Sequence, residues 1–177
     1  MKTGEEIIKE CRNNFDKHEL TIIHESISVK RYLFRDPKTW CFGFYLTCAD
    51  NLIVMNGDTY SLLVEPGYGR DGLAFLRGAI DSYDYFLSKC PLKMEVKEYS
   101  HSYAMELLKE DVENEYISQE QLDDAYGLDE GEFRGEIAYW DFCYEHNLDD
   151  PCSPRTYTRT TLNQIAGLRC FIDKYDK

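Results

Sequence analysis

Residues 40–64 read WCFGFYLTCADNLIVMNGDTYSLLV. The run 40–47 is dense in aromatic residues and predicts a strand. Ala49-Asp50-Asn51 turns the chain, and Leu52-Ile53-Val54-Met55 follows as a second, short strand. Asn56-Gly57 is a hairpin signal, because both residue types tolerate the backbone angles of a tight turn, and 59–64 is the returning strand. Strands this close in sequence pair antiparallel, since a parallel pair needs a long crossover. The stretch therefore dictates a β-meander.

Working outward, residues 20–36 are rich in β-branched and aromatic side chains and predict one bent strand or two, closed by the turn Asp36-Pro37-Lys38. Thr3 can cap a first helix through about Lys17, with Ile7, Ile8, Cys11 and Phe15 on one face. Downstream, Pro66 ends the sheet. Asp71 or Gly72 opens a helix through about Cys90, apolar at Leu73, Phe75, Leu76, Ile80, Tyr83 and Phe86. Residues 94–99 predict a further strand, and helices follow at about 101–116, 118–126, 129–147 and 160–175. Ser118-Gln119-Glu120-Gln121 fits a capping box. Phe133, Ile137, Trp140 and Tyr144 form a stripe expected to face the core, as do Leu162, Ile165, Ala166 and Phe171 of the last helix. Strands followed by helices give an α+β fold: an antiparallel meander of about four strands, helices packed on one side, and an acidic helical C-terminal half. The 177 residues are expected to form one domain, 1–99 as scaffold and 100–177 as the acidic helical part.

A hydrophobic content of 43%, with 14 Tyr and 9 Phe, excludes a disordered chain. No apolar run approaches the roughly 20 residues that span a bilayer. The N-terminus MKTGEEIIKEC places acids where a signal peptide needs its apolar core, so a cytoplasmic protein is expected. The seven cysteines are odd in number and scattered in spacing, and read as free thiols.

The charge is concentrated. Residues 105–150 hold 16 Asp/Glu against Lys109 and Arg134, a net of −14, within a chain of net −13. Helix surfaces usually mix signs, yet Glu106/Glu110, Glu120/Asp124, Glu132/Glu136 and Asp141/Glu145 are like-charge pairs at i,i+4. Each pair costs on the order of 0.2–0.5 kcal/mol. Tyr116, Tyr126, Phe133, Tyr139, Trp140, Phe142 and Tyr144 are interleaved with the acids, and any left exposed would anchor an interface. Such a surface attracts basic grooves and repels nucleic acid and anionic lipid.

Other motifs carry less. Gly67-Tyr68-Gly69-Arg70-Asp71-Gly72 matches G-x-G-x-x-G, but its preceding strand belongs to a hairpin meander and Asp71 would face the pyrophosphate, so a turn with a helix cap is expected. Cys143, His146 and Cys152 have ligand-type spacing without a fourth partner. The carboxylate pairs Asp123-Asp124, Glu130/Glu132 and Asp149-Asp150 fit no calcium loop. His18, His24, His101 and His146 have no catalytic spacing, and Arg155-Thr156-Tyr157-Thr158-Arg159 reads as a helix lead-in whose arginines pair with nearby acids. No catalytic residue, cofactor or metal is expected.

Arg31-Tyr32-Leu33-Phe34-Arg35-Asp36-Pro37, Phe42-Gly43-Phe44 and the stretch from Asn51 to Asp58 together resemble a sheet core of small phage and prophage proteins. The segments Phe75-Leu76-Arg77-Gly78 and Tyr83-Asp84-Tyr85-Phe86-Leu87-Ser88-Lys89 fit the same resemblance, which spans residues 30–90. Some phage proteins of this size are anti-CRISPR proteins, and acidic ones among them resemble nucleic-acid mimics that block a Cas effector. The resemblance implies an inhibitor, in a bacterial host cell, of a basic nucleic-acid-handling protein, such as the Cas9 effector of a CRISPR system. Its expected contact residues are Glu110, Asp111, Glu113, Glu115, Asp123, Asp124, Asp129, Glu130, Glu132 and Glu136. The competing expectations are a small nucleotide- or nucleic-acid-processing enzyme and a regulatory module that binds through its sheet.

Overall fold

A computed structural model describes residues 2–58, 61–91, 96–127, 135–146, 148 and 152–177, with the backbone alone at 124, 126 and 127. The chain divides into two compact units, residues 2–96 with 158–177 and residues 97–157. The last helix groups with the sheet, and the acidic segment runs from 97 to 157. Counted over these units, the 97–157 segment holds 17 acids and four basic residues, the whole net charge of −13, and the sheet unit holds 16 of each sign.

The sheet unit starts with helix α1 (Gly4–Cys11) and a 3-10 turn (Arg12–Phe15). Thr3 and Glu6 close a capping box at the α1 N-terminus. Five antiparallel strands follow in the order β1-β2-β3-β4-β5: Glu19–Glu25, Val29–Arg35, Phe44–Ala49, Leu52–Gly57 and Ser61–Val64. The register aligns Tyr32, Leu46, Met55 and Leu62 across the sheet on one face, all buried. Residues 20–36 thus form two strands, reversed where Ser26 N donates to the Val29 carbonyl.

The expected strand at 40–47 starts only at Phe44. Phe42 takes a left-handed backbone (φ 58°) with its N–H held by Asp58, and Gly43 N donates to the Trp40 carbonyl, so 40–43 is a turn. The hairpin signal is realised differently too. Asn56 pairs with Ser61, and Gly57 continues β4 opposite Phe44. A Cβ on Gly57 would lie 2.2 Å from the Gly43 carbonyl oxygen, so glycine is required there by close approach of the neighbouring strand.

The single helix expected at 71–90 is two, α2 (Gly72–Ala79) and α3 (Tyr83–Leu87). Helix α7 (Arg159–Tyr175) returns to complete this unit. Its residues Thr161 to Leu168 are all buried, and Phe171 packs edge-on against Tyr32 and Phe34 of β2. Arg169 clamps Glu5 of α1 through two bonds of 2.7 and 2.9 Å and reaches the carbonyls of Ile80 and Asp81.

The 97–157 unit begins and ends on a two-stranded antiparallel ribbon, β6 (Lys97–Tyr99) paired with β7 (Arg155–Tyr157). Between them lie α4 (His101–Glu113), α5 (Gln119–Gly127) and α6 (Glu136–Glu145). Its core is built on Ala104, Leu108, Leu122, Tyr139 and Cys143. Among the described residues no helix is long and apolar enough to cross a membrane, and all seven cysteines are free.

His18 is buried between the rings of Phe15 and Phe34, and among the described residues neither ring nitrogen has a hydrogen-bond partner. Burial pushes its pKa below the ordinary value of 6.5, and the adjacent Phe42 backbone offsets this only in part. A depressed folded-state pKa gives stability that is complete above the unfolded-state value and lost as pH falls through the folded one. Denaturant midpoints are expected to fall as pH drops below about 6.5. His18→Phe should flatten that part of the profile; an unchanged slope would exonerate His18.

Candidate partner-binding surface

Helix α4 explains how the acids are presented. Ser100 caps it by accepting from Tyr103 N, and Ala104, Met105, Leu107 and Leu108 turn one side into the unit's core. Helical period then forces Glu106, Glu110 and Glu113, at i, i+4 and i+7, onto the exposed side. Helix α5 starts with the expected capping box: Gln121 N donates to Ser118 Oγ (3.2 Å) and Ser118 N to Gln121 Oε1 (2.7 Å). Leu122 and Ala125 are buried, while Glu120 and Asp123 are exposed, Asp123 accepting from Gln119.

The ten expected contact acids separate into groups. Glu110, Glu113, Glu115 and Asp123 are exposed. Asp111 is half-buried, and burial, reinforced by the Glu110 charge, raises its pKa. Glu136 is half-buried and ion-paired to Arg155 (3.0 Å), which ties the start of α6 to β7. Asp129, Glu130, Glu132 and the Asp124 side chain lie outside the described residues. Glu106, Asp141 and Glu145 are exposed as well, and the like-charge i,i+4 pattern already marked them.

Helix α6 corrects the expected apolar stripe. Ile137 is 77% and Tyr144 86% exposed, and Trp140 is half-buried; Phe133 lies outside the described residues. The buried side is Tyr139, Phe142 and Cys143. Apolar residues surround this helix, so periodicity alone selects no face. The consequence is a solvent-facing row in which Ile137 and Tyr144 alternate with Asp141 and Glu145. Tyr116, between α4 and α5, is also largely exposed.

The other motifs settle into structural roles. Asp71 caps α2 by accepting from Ala74 N and pairs with Lys30 at 2.6 Å, which fills the helix N-terminus with a carboxylate; Gly67 and Gly69 supply positive φ in the turn. Cys143 is buried, His146 contacts Gln121 at 2.9 Å, and Cys152 is exposed. Among the described residues no group of three or more His, Cys, Asp or Glu is placed to hold a metal ion. Burial pushes the Cys143 and Cys90 thiols up to about 11 and Cys48 up to about 12, away from the reactive thiolate.

Glu115 carries backbone strain on this surface. Glu115 N donates to the Val112 carbonyl and Tyr116 N to the Asp111 carbonyl, a Schellman closure of α4 whose left-handed residue is normally glycine. Here it is Glu115, with φ 62°. Glu115→Gly is expected to raise unfolding free energy by roughly 1 kcal/mol in a denaturant titration. A loss of stability would show that the carboxylate makes a stabilising contact larger than the strain.

No family model, no curated protein and no solved structure matches this chain.

Proposed function

We propose that this chain is a non-catalytic, phage-type inhibitor whose 97–157 unit occupies the basic groove of a nucleic-acid-handling host protein, with a CRISPR–Cas effector as the partner class. The observation that carries this reading is the exposed face of α4. Glu106, Glu110 and Glu113 stand along a rigid helix with a carboxylate about every 6 Å per four residues, a row suited to a groove built for phosphates. The α6 row adds the second ingredient of an interface. Ile137 and Tyr144 supply apolar anchors, and Asp141 and Glu145 beside them supply charge. Asp141 and Glu145 are like charges at i,i+4 spacing, a pair that costs on the order of 0.2–0.5 kcal/mol and that a cationic groove would relieve.

One observation favours a second reading, a regulatory module that binds through the sheet. Edge strand β1 exposes Ile22 and Ile23, Ile27 beyond it is 99% exposed, and Arg31 and Arg35 stack over Tyr45 and Trp40.

The two readings separate under charge reversal. Glu110→Lys, Glu113→Lys and Asp141→Lys together should leave the fold intact, because exposed substitutions of this kind shift stability by only about 0.5 kcal/mol each. Affinity for a Cas effector should drop at least about tenfold, and wild-type affinity should weaken as salt screens the charges. Affinity that is indifferent to both the reversals and salt would contradict the electrostatic reading and leave the sheet.

A further inference from the structure

One face of the five-stranded sheet is buried, with Phe171 of α7 packed on Tyr32. On the opposite face the register aligns Leu33 with Tyr45, and Arg31 with Thr47, Val54 and Leu63. An antiparallel sheet with one face in water alternates apolar and polar residues along each strand. Strands β4 and β5 do not alternate: they read Leu52-Ile53-Val54-Met55 and Leu62-Leu63-Val64. Val54 and Leu63 carry the apolar run onto the outer face beside Leu33 and Tyr45, and all four are only half-buried.

The charge on this face is opposite to that of the 97–157 unit. Arg31 lies over the Tyr45 ring at 4.9 Å and Arg35 over the Trp40 ring at 5.8 Å. Glu19 stands across from Arg35 in register, yet neither arginine has an ion-pair partner among the described residues. A guanidinium stacked on a ring keeps its in-plane N–H donors for a carboxylate. Helix α6 presents the complement. Ile137, Asp141 and Tyr144 recur at i, i+4 and i+7 on its exposed side, with Glu145 beside them. The helix thus pairs apolar side chains with acids, where the sheet face pairs them with arginines. Their lengths agree as well. Ile137 to Glu145 spans about 12 Å along a helix, and Arg31 to Arg35 about 13 Å along β2.

We propose that the outer sheet face of one copy seats helix α6 of a second copy. Asp141 and Glu145 meet Arg31 and Arg35, while Ile137 and Tyr144 cover the half-buried side chains of the face. A helix laid on a sheet is the ordinary way for both to bury their apolar sides. Both surfaces belong to this chain, and their pairing needs no effector. A copy seated in this way covers the α6 row that an effector would meet, so self-association and effector binding compete. One helix face is smaller than a standard interface, so the association is weak and depends on concentration.

The test is sedimentation equilibrium of the full-length protein at low salt. The average mass should rise above 20.8 kDa as concentration increases from about 10 to about 500 μM, and fall back in about 0.5 M salt. Arg31→Glu with Arg35→Glu, and separately Asp141→Arg with Glu145→Arg, should each give a folded monomer over that range. Mixed in equal amounts, the two variants should associate again, because one brings an intact α6 and the other an intact sheet face. Arg31 is exposed, so Arg31→Glu alone replaces the sheet pair if that pair costs the fold. A wild-type protein still monomeric at about 500 μM, or a mixture that stays monomeric, would overturn the proposal. So would association that persists in the α6 variant alone, which would assign the sheet face to a second sheet face.

Discussion

Helix α7 packs against the sheet together with α2, and it is the element that binds the sheet to α1. Its buried run from Thr161 to Leu168 leaves no solvent face, a pattern of helices enclosed on all sides. Gly167 sits where a Cβ would lie 2.9 Å from the Phe15 ring and 3.1 Å from the Phe44 ring, so its absence lets both aromatics close on the helix. Arg169 then binds α7 to α1 and to the link between α2 and α3. Burying large side chains such as Phe15, Phe44 and Phe171 contributes about 1.5–3 kcal/mol each, and all of it depends on the last residues of the chain coming back to the first.

That return constrains everything between. The chain leaves the sheet unit at Val96 and rejoins it at Thr158, where Thr158 N donates to the Val96 carbonyl at 3.1 Å. Strands β6 and β7 pair at the start and end of the segment, so its ends are adjacent, the geometry under which inserted domains are tolerated. The segregation of charge follows the same boundary. The sheet unit is neutral by count, and the net charge of −13 lies in 97–157.

Much of this was legible in the sequence, and the failures share a cause. The meander, the Ser118 capping box and the Asp71 cap rest on neighbouring residues, and local chemistry specified them. Phe42 reads as a strand residue by composition, but Asp58, 16 positions away, holds it in a turn. Ile137 and Tyr144 read as core because α6 is apolar all round, and only the packing of Tyr139 and Phe142 fixes which side is buried. The grouping of α7 with the sheet is not readable locally, because α7 meets α1 and β2 from far along the chain, a contact that no window of sequence contains. Exposure of the α4 acids is readable from helical period. That Arg155 pairs with an acid is readable too, whereas the choice of Glu136 as that acid is not.

Under the proposed function, residues 97–157 are a self-contained acidic insert that carries the binding. The most direct measurement replaces that segment with a short Gly–Ser loop joining Val96 to Thr158, then records cooperative unfolding and capture of a basic nucleic-acid-binding effector. The expected result is a folded, neutral sheet unit that no longer captures the effector. A shortened chain that cannot fold, or one that folds and still captures the effector, would contradict it.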